Sequence, residues 1–435
     1  NGFSSVATQI GVIRAQTVEE LFDYAMAFPR LPLPKGNRVA IISNAGGPAI
    51  ILADACESSG LSVPELAPET QAAIRARVAE EASVRNPVDL IASAKAAVYR
   101  EVIKLVLRDP NVDAVIASFI PPLGIQAQDV ALAIREAAAT RREIPVLAVM
   151  LGRNGVPAAM EELIDAGIPG YIFPESAVRA LAALNRYRQW IERPEGAVAS
   201  FPVDRAAADA VSAGARGARR ERLTEAESLA LLDAYGIPTA PWKVVRSADE
   251  AARAAAAVGH PVVLKVMSAA IVHKSDIGGV VLGLGSEQEV REGYARLVRR
   301  VTERAGVTPE GVLVQRMVPG GRETIVGSTR DAKAGPLLMF GLGGIFVEVL
   351  KDVVFRVHPV SDVDAREMVR GIRGYQLLEG VRGETSVDLI ALEEIIQRVS
   401  QLVGDHEEIL EMDVNPLVAF PDRVVALDAR FRIGG

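Results

Sequence analysis

Cysteine is nearly absent from this sequence of 435 residues, which contains only Cys56. A single thiol excludes a disulfide within the chain and a cysteine-based zinc cluster, and it is typical of a reducing compartment, so we expect a cytoplasmic protein. An excess of basic residues is also missing. The formal net charge of −7 argues against a nucleic-acid-binding surface, because such surfaces are basic.

Long hydrophobic runs are missing as well. No apolar stretch reaches the roughly 18 residues that a membrane-spanning helix needs, so we expect no membrane association. The first residues, from Asn1 to Ser5, lack the charged and apolar parts of a signal peptide, and there is no initiator methionine, so we expect an internal start. Aromatic residues make up only 5% of the chain, and the cores must therefore be built from Val, Leu, Ile and Ala.

The first half alternates apolar strands with helices. A helix is predicted at 17–28, with Thr17 as its N-cap and Glu20 three residues later, and a Pro- and Gly-rich linker follows at 30–37. Continuously apolar strands separated by helices predict a parallel sheet that is covered on both faces, so we expect one doubly wound α/β domain over residues 34–193. The predicted strands are 38–43, 114–119 and 145–150, and the predicted helices are 49–59, 96–107, 127–139 and 156–166.

The second half begins after a segment without hydrophobic periodicity. Residues 194–222 include many small and charged residues and are interpreted as a linker, with the option of a helical stretch. From Leu223 onward, strands alternate with turns and interposed helices, including a long helix predicted at 287–305. This pattern is typical of an α+β fold, and we expect this domain to occupy residues 223–435.

A glycine-containing turn joins the first predicted strand to its helix. Asn44, Ala45, Gly46 and Gly47 lie where the free N–H groups and the positive dipole end of a helix bind anions. A tight turn with glycines for steric reasons alone explains these residues equally well. The segment NPVDL at 86–90 is a second polar break. If this break and the turn at 44–47 both lie at the carboxyl ends of strands, they face one crevice at that edge of the sheet. A plain loop is the alternative.

Two lysines and a histidine form the second candidate site. Lys265 ends an apolar strand, where burial is costly unless the ammonium meets an anion, and Lys274 follows in a glycine-containing turn. Together they predict phosphate binding, while a surface lysine with a buried stem is the alternative for each. His273 offers an imidazole that can serve as nucleophile or proton carrier, although a lone histidine is more often structural.

Two further segments combine strands with glycine turns. After one strand, the backbone of Gln315 and Val318 is a candidate to bind a flat base, and Glu323 a ribose or a metal-bound group. Alone, this segment is better explained as a hairpin turn. Another strand leads into a glycine-rich loop that is a candidate to cover phosphates, although such loops are common in proteins. The residues concerned are Gly341, Gly343 and Gly344.

Acidic and amide side chains gather in the last motif. Alternation along a strand puts Glu411, Asp413 and Asn415 on one face, and Asp428 on the following strand can pair across a hairpin. Oxygen ligands from Asn415 and Asp428, together with phosphate oxygens, suit Mg²⁺. An acidic solvated face is the alternative, but it does not explain why Asn415 and Asp428 lie inside otherwise apolar strands.

In this order the motifs resemble those of the ADP-forming (NDP-forming) acyl-CoA synthetases, a succinyl-CoA-synthetase-like family. The segments LLDAYGIP, VLKV, HKSD, LVQRMVPGGRE, MFGLGG and EMDVNPL resemble the ATP-grasp module of that family, over residues 223–432. The segments QIGVIRAQTVEELFD, PLPKGNRVAIISNAGGP and SVRNPVDL resemble the flavodoxin-like domain before it. Residues 1–30 resemble the tail of a preceding flavodoxin-like domain.

The resemblance implies an acid–thiol ligase that makes acyl-CoA reversibly from a carboxylic acid, CoA and ATP, with release of ADP and phosphate through a phosphohistidine. It implies that His273 relays the phosphoryl group, and that Asn44, Ala45, Gly46 and Gly47 cradle the phosphohistidine loop. It also implies a metal site and a nucleotide site. Mg²⁺ is assigned to Asn415 and Asp428, and ATP or ADP to Lys265, Lys274, Gln315, Val318, Glu323, Gly341, Gly343 and Gly344.

The same resemblance predicts an incomplete chain. Complete members also carry a CoA-binding domain and a histidine loop of SHTG type, and neither occurs in this sequence. We therefore expect the missing domains in the same polypeptide or a companion chain, and a dimeric assembly. The alternatives are an inactive or regulatory nucleotide- or CoA-binding relative, a protein acetyltransferase-type relative without its transferase domain, and a carboxylate–amine ligase with a generic ATP-grasp module.

Overall fold

The computed structural model describes residues 2–152, 157–267, 278–306, 308–344, 352–381 and 383–434. The chain consists of two compact units. One is Ile10–Arg193, and the other is Asn1–Gln9 together with Pro194–Gly435. Among the described residues, no helix combines the length and the apolar character that crossing a membrane requires.

The first unit is built on a parallel sheet. Its described strands are β1 (Val39–Ser43), β2 (Val88–Asp89), β3 (Ala114–Phe119), β4 (Val146–Met150) and β5 (Gly170–Tyr171). They pair in the order β2-β1-β3-β4-β5, and all neighbours are parallel. This is the strand order of doubly wound, flavodoxin-like folds, so the fold class predicted for this half is confirmed.

Helices cover both faces of this sheet. Every residue of β1, β3 and β4 is buried, as expected of strands that lie between two helical layers. One core layer contains Ile42 and Val115, and the other contains Ile41 and Ile116. The helices are α2 (Val18–Ala27), α3 (Gly46–Ser58), α4 (Pro68–Arg75), α5 (Ala96–Val106), α6 (Ala127–Ala138), α7 (Pro157–Asp165) and α8 (Pro174–Ile191).

Local signals set several helix ends as predicted. The Thr17 side chain accepts a hydrogen bond from the Glu20 N–H and so caps α2. Helix α3, however, begins at Gly46, three residues earlier than the predicted start at 49, because the glycines of the turn form its first residues.

The second unit contains an antiparallel four-stranded sheet. Its strands are β6 (Trp242–Val245), β7 (Val262–Met267), β8 (Val280–Leu284) and β9 (Gly311–Arg316), and they pair in the order β6-β9-β7-β8. Helices α11 (Ala248–Val258) and α12 (Glu287–Ala305) pack on one face of this sheet and complete its hydrophobic core. The long helix predicted at 287–305 is thereby confirmed. We call the sheet and its two helices the four-stranded lobe.

A six-stranded antiparallel sheet forms the rest of the second unit. Its described strands pair in the order β12-β11-β10-β13-β14, and β15 also pairs with β13. Helices on one face bury the core, and we call the whole the six-stranded lobe. The strands are β10 (Arg322–Asp331), β11 (Gly335–Leu342), β12 (Val353–Val357), β13 (Ile409–Ala419), β14 (Val424–Ala426) and β15 (Ala429–Ile433). The helices are α9 (Arg205–Gly217), α10 (Glu225–Ala234), α13 (Asp362–Arg370), α14 (Tyr375–Glu379) and α15 (Leu389–Asp405).

Helix α9 confirms the helical stretch that was allowed for within residues 194–222, but its packing in the core corrects the interpretation of this part as a linker. Asp204 caps this helix by accepting a hydrogen bond from the Ala207 N–H. Ala208 and Ala215 are fully buried in the core of the six-stranded lobe. The small side chains that made the segment look featureless are the ones that let the helix pack closely.

Helix α1 (Gly2–Gln9) belongs to the second unit, where it contacts the edge strand β12. The Gln9 side chain pairs with the outer edge of this strand. Its Nε2 donates to the Val357 carbonyl at 3.0 Å, and its Oε1 accepts from the Val357 N–H at 2.7 Å. A side-chain amide thus satisfies backbone groups that an edge strand would otherwise leave unpaired.

Candidate functional site

Side-chain alternation gives the four-stranded sheet two different faces. Leu264 and Val266 of β7 belong to the core formed with α11 and α12. Lys265 lies between them and therefore points to the opposite face, because successive side chains of a strand alternate. Gln315 of β9 lies on this same face, since it is opposite Val263 in the register of the sheet.

The Lys265 ammonium crosses from this face to the six-stranded lobe. Its Nζ donates to Oε1 of Glu225 at 2.7 Å and to the carbonyl oxygen of Leu427 at 2.9 Å. Glu225 begins α10, and Leu427 lies between β14 and β15. Only 14% of the Lys265 side chain and 3% of the Glu225 side chain are exposed. The anionic partner that a buried lysine requires is therefore a carboxylate of the protein itself.

A bulge in β13 brings Asn415 to the same place. The register between β10 and β13 shifts here, so that Asn415 and Pro416 lie opposite a single residue of β10. Bulges bend a strand and change the direction of a side chain, and they are frequent beside functional sites. The Asn415 N–H donates to the carbonyl oxygen of Asp428 at 3.1 Å. Asn415 and Asp428, the predicted metal ligands, are thus brought together next to Leu427.

Asp428 does not lie on a strand, which corrects the prediction that it sits in a hairpin strand. It lies in the two-residue break between β14, which ends at Ala426, and β15, which begins at Ala429. The Leu427 N–H donates to the carbonyl of Pro416, and the break leaves the Leu427 carbonyl to accept from Lys265.

The acidic residues before Asn415 alternate as predicted. Glu411 and Asp413 lie opposite Thr329 and Gly327 of β10, and both therefore face the same side of the sheet. Burial raises the pKa of Asp413, and the charge of Arg430, which lies opposite it on β15, works against this shift. Among the described residues, no group of three or more His, Cys, Asp and Glu side chains is arranged to hold a metal ion.

The backbone of Gln315 lies between two paired strands, and its side chain is buried. Trp242 of β6 and Val263 of β7 flank it in the sheet, so the backbone contact that we assigned to Gln315 from the sequence is already used by strand pairing. Only 2% of Gln315 is exposed, and its Nε2 finds no hydrogen-bond partner in the part of the chain that the structure describes. Val318 lies just beyond β9, in the segment that joins the two sheets.

The glycine-rich loop after β11 lies against Glu323 of β10. The Gly343 N–H donates to the Glu323 carbonyl at 2.7 Å, and a Cβ at position 343 would lie 3.0 Å from the backbone carbonyl carbon of Glu323. Gly344 has a φ of +62°, and a Cβ there would lie 3.0 Å from Oε2 of Glu323. Gly341 lies in β11, opposite Ile325. The structure therefore brings Glu323 and the glycines together, at positions where a side chain does not fit.

Two predicted residues, His273 and Lys274, lie outside the described residues. The assignments of Lys274 to phosphate binding and of His273 to phosphoryl relay therefore remain predictions from the sequence.

In the first unit, the predicted anion cradle lies at the carboxyl end of β1. The Asn44 side chain is buried and binds the backbone of Ile120, accepting from its N–H at 2.9 Å and donating to its carbonyl at 2.8 Å. Asn44 therefore fixes the loop and is not itself a free ligand. Ala45 is the N-cap residue of α3 and has no side-chain cap, and a Cβ at Gly47 would meet no atom within 4 Å. The position beside Gly47 is thus open, whereas a Cβ at Gly46 would lie 3.4 Å from Oδ2 of Asp89.

Glu225 is the residue of this site that the sequence analysis missed. Its position, next to Thr224 in a capping box, is that of any acidic residue in the first turn of a helix. The signal that was available is indirect, because a buried lysine at Lys265 requires a carboxylate somewhere in the fold. The Leu427 carbonyl could not have been found, since every residue carries a backbone carbonyl.

Comparisons with known proteins identify a domain in each half of the chain. The sequence profile of the ATP-grasp domain matches residues 214–433, and that of the Ligase-CoA domain matches residues 39–199. The chain is 38% identical over 423 residues to 4-hydroxybutyrate–CoA ligase (ADP-forming) of Nitrosopumilus maritimus, covering 96% of this chain and 60% of that protein. It is 44% identical over 214 residues to the beta subunit of acetate–CoA ligase (ADP-forming) I of Pyrococcus furiosus, covering 49% of this chain and 92% of that subunit.

A solved structure is similar to half of the chain. It is the dinucleotide forming acetyl-coenzyme A synthetase 1 of Ca. Korarchaeum cryptofilum, in complex with coenzyme A, Ca-AMPCP and HgCl+. The match has 40% identity and a TM-score of 0.51, and it covers 52% of this chain and all of that chain. The chain spans about three fifths of the length of the 4-hydroxybutyrate–CoA ligase to which it is similar.

Proposed function

The chain belongs to the family of ADP-forming CoA ligases, with a Ligase-CoA domain before an ATP-grasp domain, and we propose that it is the nucleotide-binding part of an enzyme that makes acyl-CoA. The overall reaction converts a carboxylic acid, CoA and ATP to acyl-CoA, ADP and phosphate, and it is reversible. The enzyme is an acid–thiol ligase.

One observation carries this proposal. A lysine of the four-stranded lobe, Lys265, meets the break at Leu427 and Asp428 in the six-stranded lobe, and Asn415 bonds to the same break. Residues that carry a cation, an amide and a carboxylate therefore lie near one another where the two lobes meet. Cations beside carboxylate and amide oxygens are what the phosphates of a nucleotide and their Mg²⁺ require, because catalysis of phosphoryl transfer rests on charge stabilisation and positioning.

Each group has a role in this proposal. Lys265 binds phosphate oxygens, with Lys274 as its second cation, and Asn415 and Asp428 hold Mg²⁺, which neutralises phosphate charge when bound. Their oxygens suit a hard cation that keeps several of its waters and needs few protein ligands. The base and ribose lie towards Gln315, Val318 and Glu323, and the loop with Gly341, Gly343 and Gly344 covers the phosphates.

The remaining chemistry needs groups from both halves. In the direction of acyl-CoA formation, ATP phosphorylates a histidine with release of ADP, the phosphohistidine passes its phosphoryl group to the carboxylate to give an acyl phosphate, and the CoA thiol then displaces phosphate. In the reverse direction the phosphohistidine passes its phosphoryl group to ADP. We propose His273 as the relay on the nucleotide side and the N–H groups of Gly46 and Gly47 as the cradle of the phosphohistidine loop. Asn44 contributes by fixing this turn to Ile120.

The partners follow from the length of the relatives. The acetate–CoA ligase of Pyrococcus furiosus has a separate beta subunit, and we propose that the activity of this chain likewise needs CoA-binding and phosphohistidine segments, in the same polypeptide or a companion chain. A dimeric assembly and a cytoplasmic location remain predictions of the sequence.

Acyl-CoA formation tests the proposal directly. The chain is assayed with acetate, CoA and Mg-ATP, alone and together with the alpha-type segment of a relative or of its own upstream coding sequence. We expect no acyl-CoA from the chain alone and thioester formation with stoichiometric ADP release when the segment is added. Acyl-CoA made with release of AMP instead of ADP would contradict the proposed reaction.

A further inference from the structure

A buried ion pair connects the two lobes of the second unit. Lys265 belongs to the four-stranded lobe, whereas Glu225 begins α10, a helix whose apolar residues lie in the core of the six-stranded lobe. The Leu427 carbonyl, the second acceptor of the Lys265 ammonium, belongs to the six-stranded lobe too. Two of the three N–H donors of the Lys265 ammonium are thus directed from the four-stranded lobe to acceptors of the six-stranded lobe.

The geometry of these bonds restricts the ammonium strongly. A lysine side chain has many rotamers, and holding it at one place costs conformational entropy unless fixed acceptors compensate. One acceptor is the carboxylate of Glu225, whose side chain is only 3% exposed, and the other is the backbone carbonyl oxygen of Leu427. Both acceptors are therefore held in place by the fold. The ammonium keeps a third N–H donor for a ligand oxygen.

Burial also makes the pair electrically interdependent. A buried carboxylate without a counter-ion is strongly unfavourable, and so is a buried ammonium. The Glu225 carboxylate and the Lys265 ammonium are therefore counter-ions to each other. The Lys265 ammonium lies near Asp428, because it binds the carbonyl oxygen of Leu427, the preceding residue.

We propose that Glu225 is a positioning residue for nucleotide binding: its carboxylate holds the Lys265 ammonium against the six-stranded lobe, beside Asp428, so that the remaining N–H points to a phosphate oxygen. The inference rests on the proposed nucleotide site. Glu225 itself touches neither nucleotide nor metal and acts through Lys265.

Chemical labelling of Lys265 tests the pair without any nucleotide. The full chain is treated with acetic anhydride over a range of pH, and acetylation of the peptide that contains Lys265 is followed by mass spectrometry. In Glu225→Gln the amide can still accept the hydrogen bond, but the negative charge is gone. Without its carboxylate partner the ammonium should be held less firmly, and its labelling rate near neutral pH should rise about tenfold.

A matched control is available on the same helix. Glu227 also carries one negative charge on α10 but pairs with Arg220 at 2.6 Å, so Glu227→Gln should leave Lys265 labelling unchanged. Thermal melting of each variant confirms that it is folded. An unchanged labelling rate of Lys265 in folded Glu225→Gln would overturn the proposal.

Nucleotide affinity then tests whether Glu225 acts through Lys265. We expect Glu225→Ala and Lys265→Met each to weaken Mg-ADP binding about tenfold, and the double variant to be no weaker than Lys265→Met, because the two residues serve one contact. Adenosine, which has no phosphate, should bind equally to all. A further loss from Glu225→Ala in the Lys265→Met background would overturn the proposal. Absence of Mg-ADP binding by the unaltered chain would instead contradict the proposed function and, with it, a role of Glu225 in nucleotide binding, whatever the labelling shows about the ion pair.

Discussion

The Asn415 N–H donates to the carbonyl oxygen of Asp428 at 3.1 Å, across a bulge on one strand and a break between two others. Both irregularities interrupt otherwise regular pairing in the six-stranded sheet. Regular strands would direct these two side chains by strict alternation, whereas the bulge and the break change their directions at the same point. The backbone irregularities therefore bring the two proposed metal ligands next to each other.

Replacement of Asp428 tests the metal assignment. We expect Asp428→Ala to weaken Mg-ADP binding about tenfold, or about 1.4 kcal/mol, and to remove most of the Mg²⁺ dependence of binding, because one of two proposed oxygen ligands is lost. Calorimetric titrations with and without Mg²⁺ measure this. Asp422→Ala serves as a control, since Asp422 lies in the turn before β14 and pairs with exposed Arg423. Equal Mg²⁺-dependent binding by Asp428→Ala and the unaltered chain would remove Asp428 from the metal site.

Replacement of Gln315 should have opposite effects on stability and affinity. Its buried Nε2 lacks a partner among the described residues, and an unsatisfied buried donor costs about 1–3 kcal/mol. Gln315→Leu should therefore raise the free energy of unfolding by about 1 kcal/mol while lowering nucleotide affinity roughly tenfold. Urea unfolding and nucleotide titration measure the two effects.

A control for Gln315 exists in the first unit. The Ser118 Oγ is also buried and without a partner in the described part of the chain, so Ser118→Ala should change stability but not nucleotide affinity. If Gln315→Leu bound nucleotide as tightly as the unaltered chain, the amide would have no role in recognition of the base.

Helix α9 provides a test of the packed segment that replaces the expected linker. Gly214 lies inside this helix, and a Cβ there would meet no atom within 4 Å. Gly214→Ala should raise the free energy of unfolding by about 0.5–1 kcal/mol, and Gly214→Pro should lower it by about 3 kcal/mol or more. Chemical denaturation measures both. A flexible coil at this position would predict almost no effect of either substitution on unfolding.

The stability of the second unit should fall in acid partly because of His358. Burial, helped by the charge of Arg330, lowers the pKa of His358 below its usual 6.5, although hydrogen bonding to the backbone of Ser400 and the charge of Asp405 work in the other direction. The folded protein thus binds this proton less readily than the unfolded chain. The stability that neutral His358 contributes is fully present above the pKa that this histidine has in the unfolded chain. It is lost as the pH falls through the lower pKa that His358 has in the folded protein.

The measurement is urea unfolding at several pH values between about 7 and about 5. The midpoint should fall with pH in the unaltered chain and fall less in His358→Gln, which can still bond to Ser400. An equally steep fall in both would show that other groups cause the acid sensitivity.

His273 is tested by function, since it lies outside the described residues. A phosphoryl relay must hold phosphate as a labile nitrogen adduct and release it to ADP, which imidazole does near neutral pH and a lysine ammonium does not. In the enzyme completed with its missing segment, His273→Ala should abolish ATP–acyl-CoA exchange and leave Mg-nucleotide affinity within a few-fold. His260→Gln is the control, because His260 bonds to the Leu284 carbonyl in the described structure. Exchange by His273→Ala would favour direct transfer from the other histidine.

Much of the fold could be predicted because it depends on neighbours in sequence. The buried strands β1, β3 and β4 were visible as apolar runs, and Thr17 with Glu20 marked the start of α2. The glycines at 343 and 344 were visible as a loop motif, and the structure adds the reason for them, which is the close approach to Glu323. In segment 194–222 the helical stretch was allowed for, but its packing was not predicted, because the helix is stabilised by burial of Ala208 and Ala215 in a core made by distant residues.

The sequence by itself determined which chemical groups are available: a lysine at the end of an apolar strand, an amide and a carboxylate near the C-terminus, and glycines where the backbone must approach closely. The tertiary structure alone decided that Glu225 meets Lys265, and that the Leu427 carbonyl completes the contact. Periodicity and capping act within a few residues and leave a signal in the order of amino acids. Pairing across two lobes depends on strand order, bulges and breaks, and a backbone carbonyl leaves no signal at all, because every residue has one.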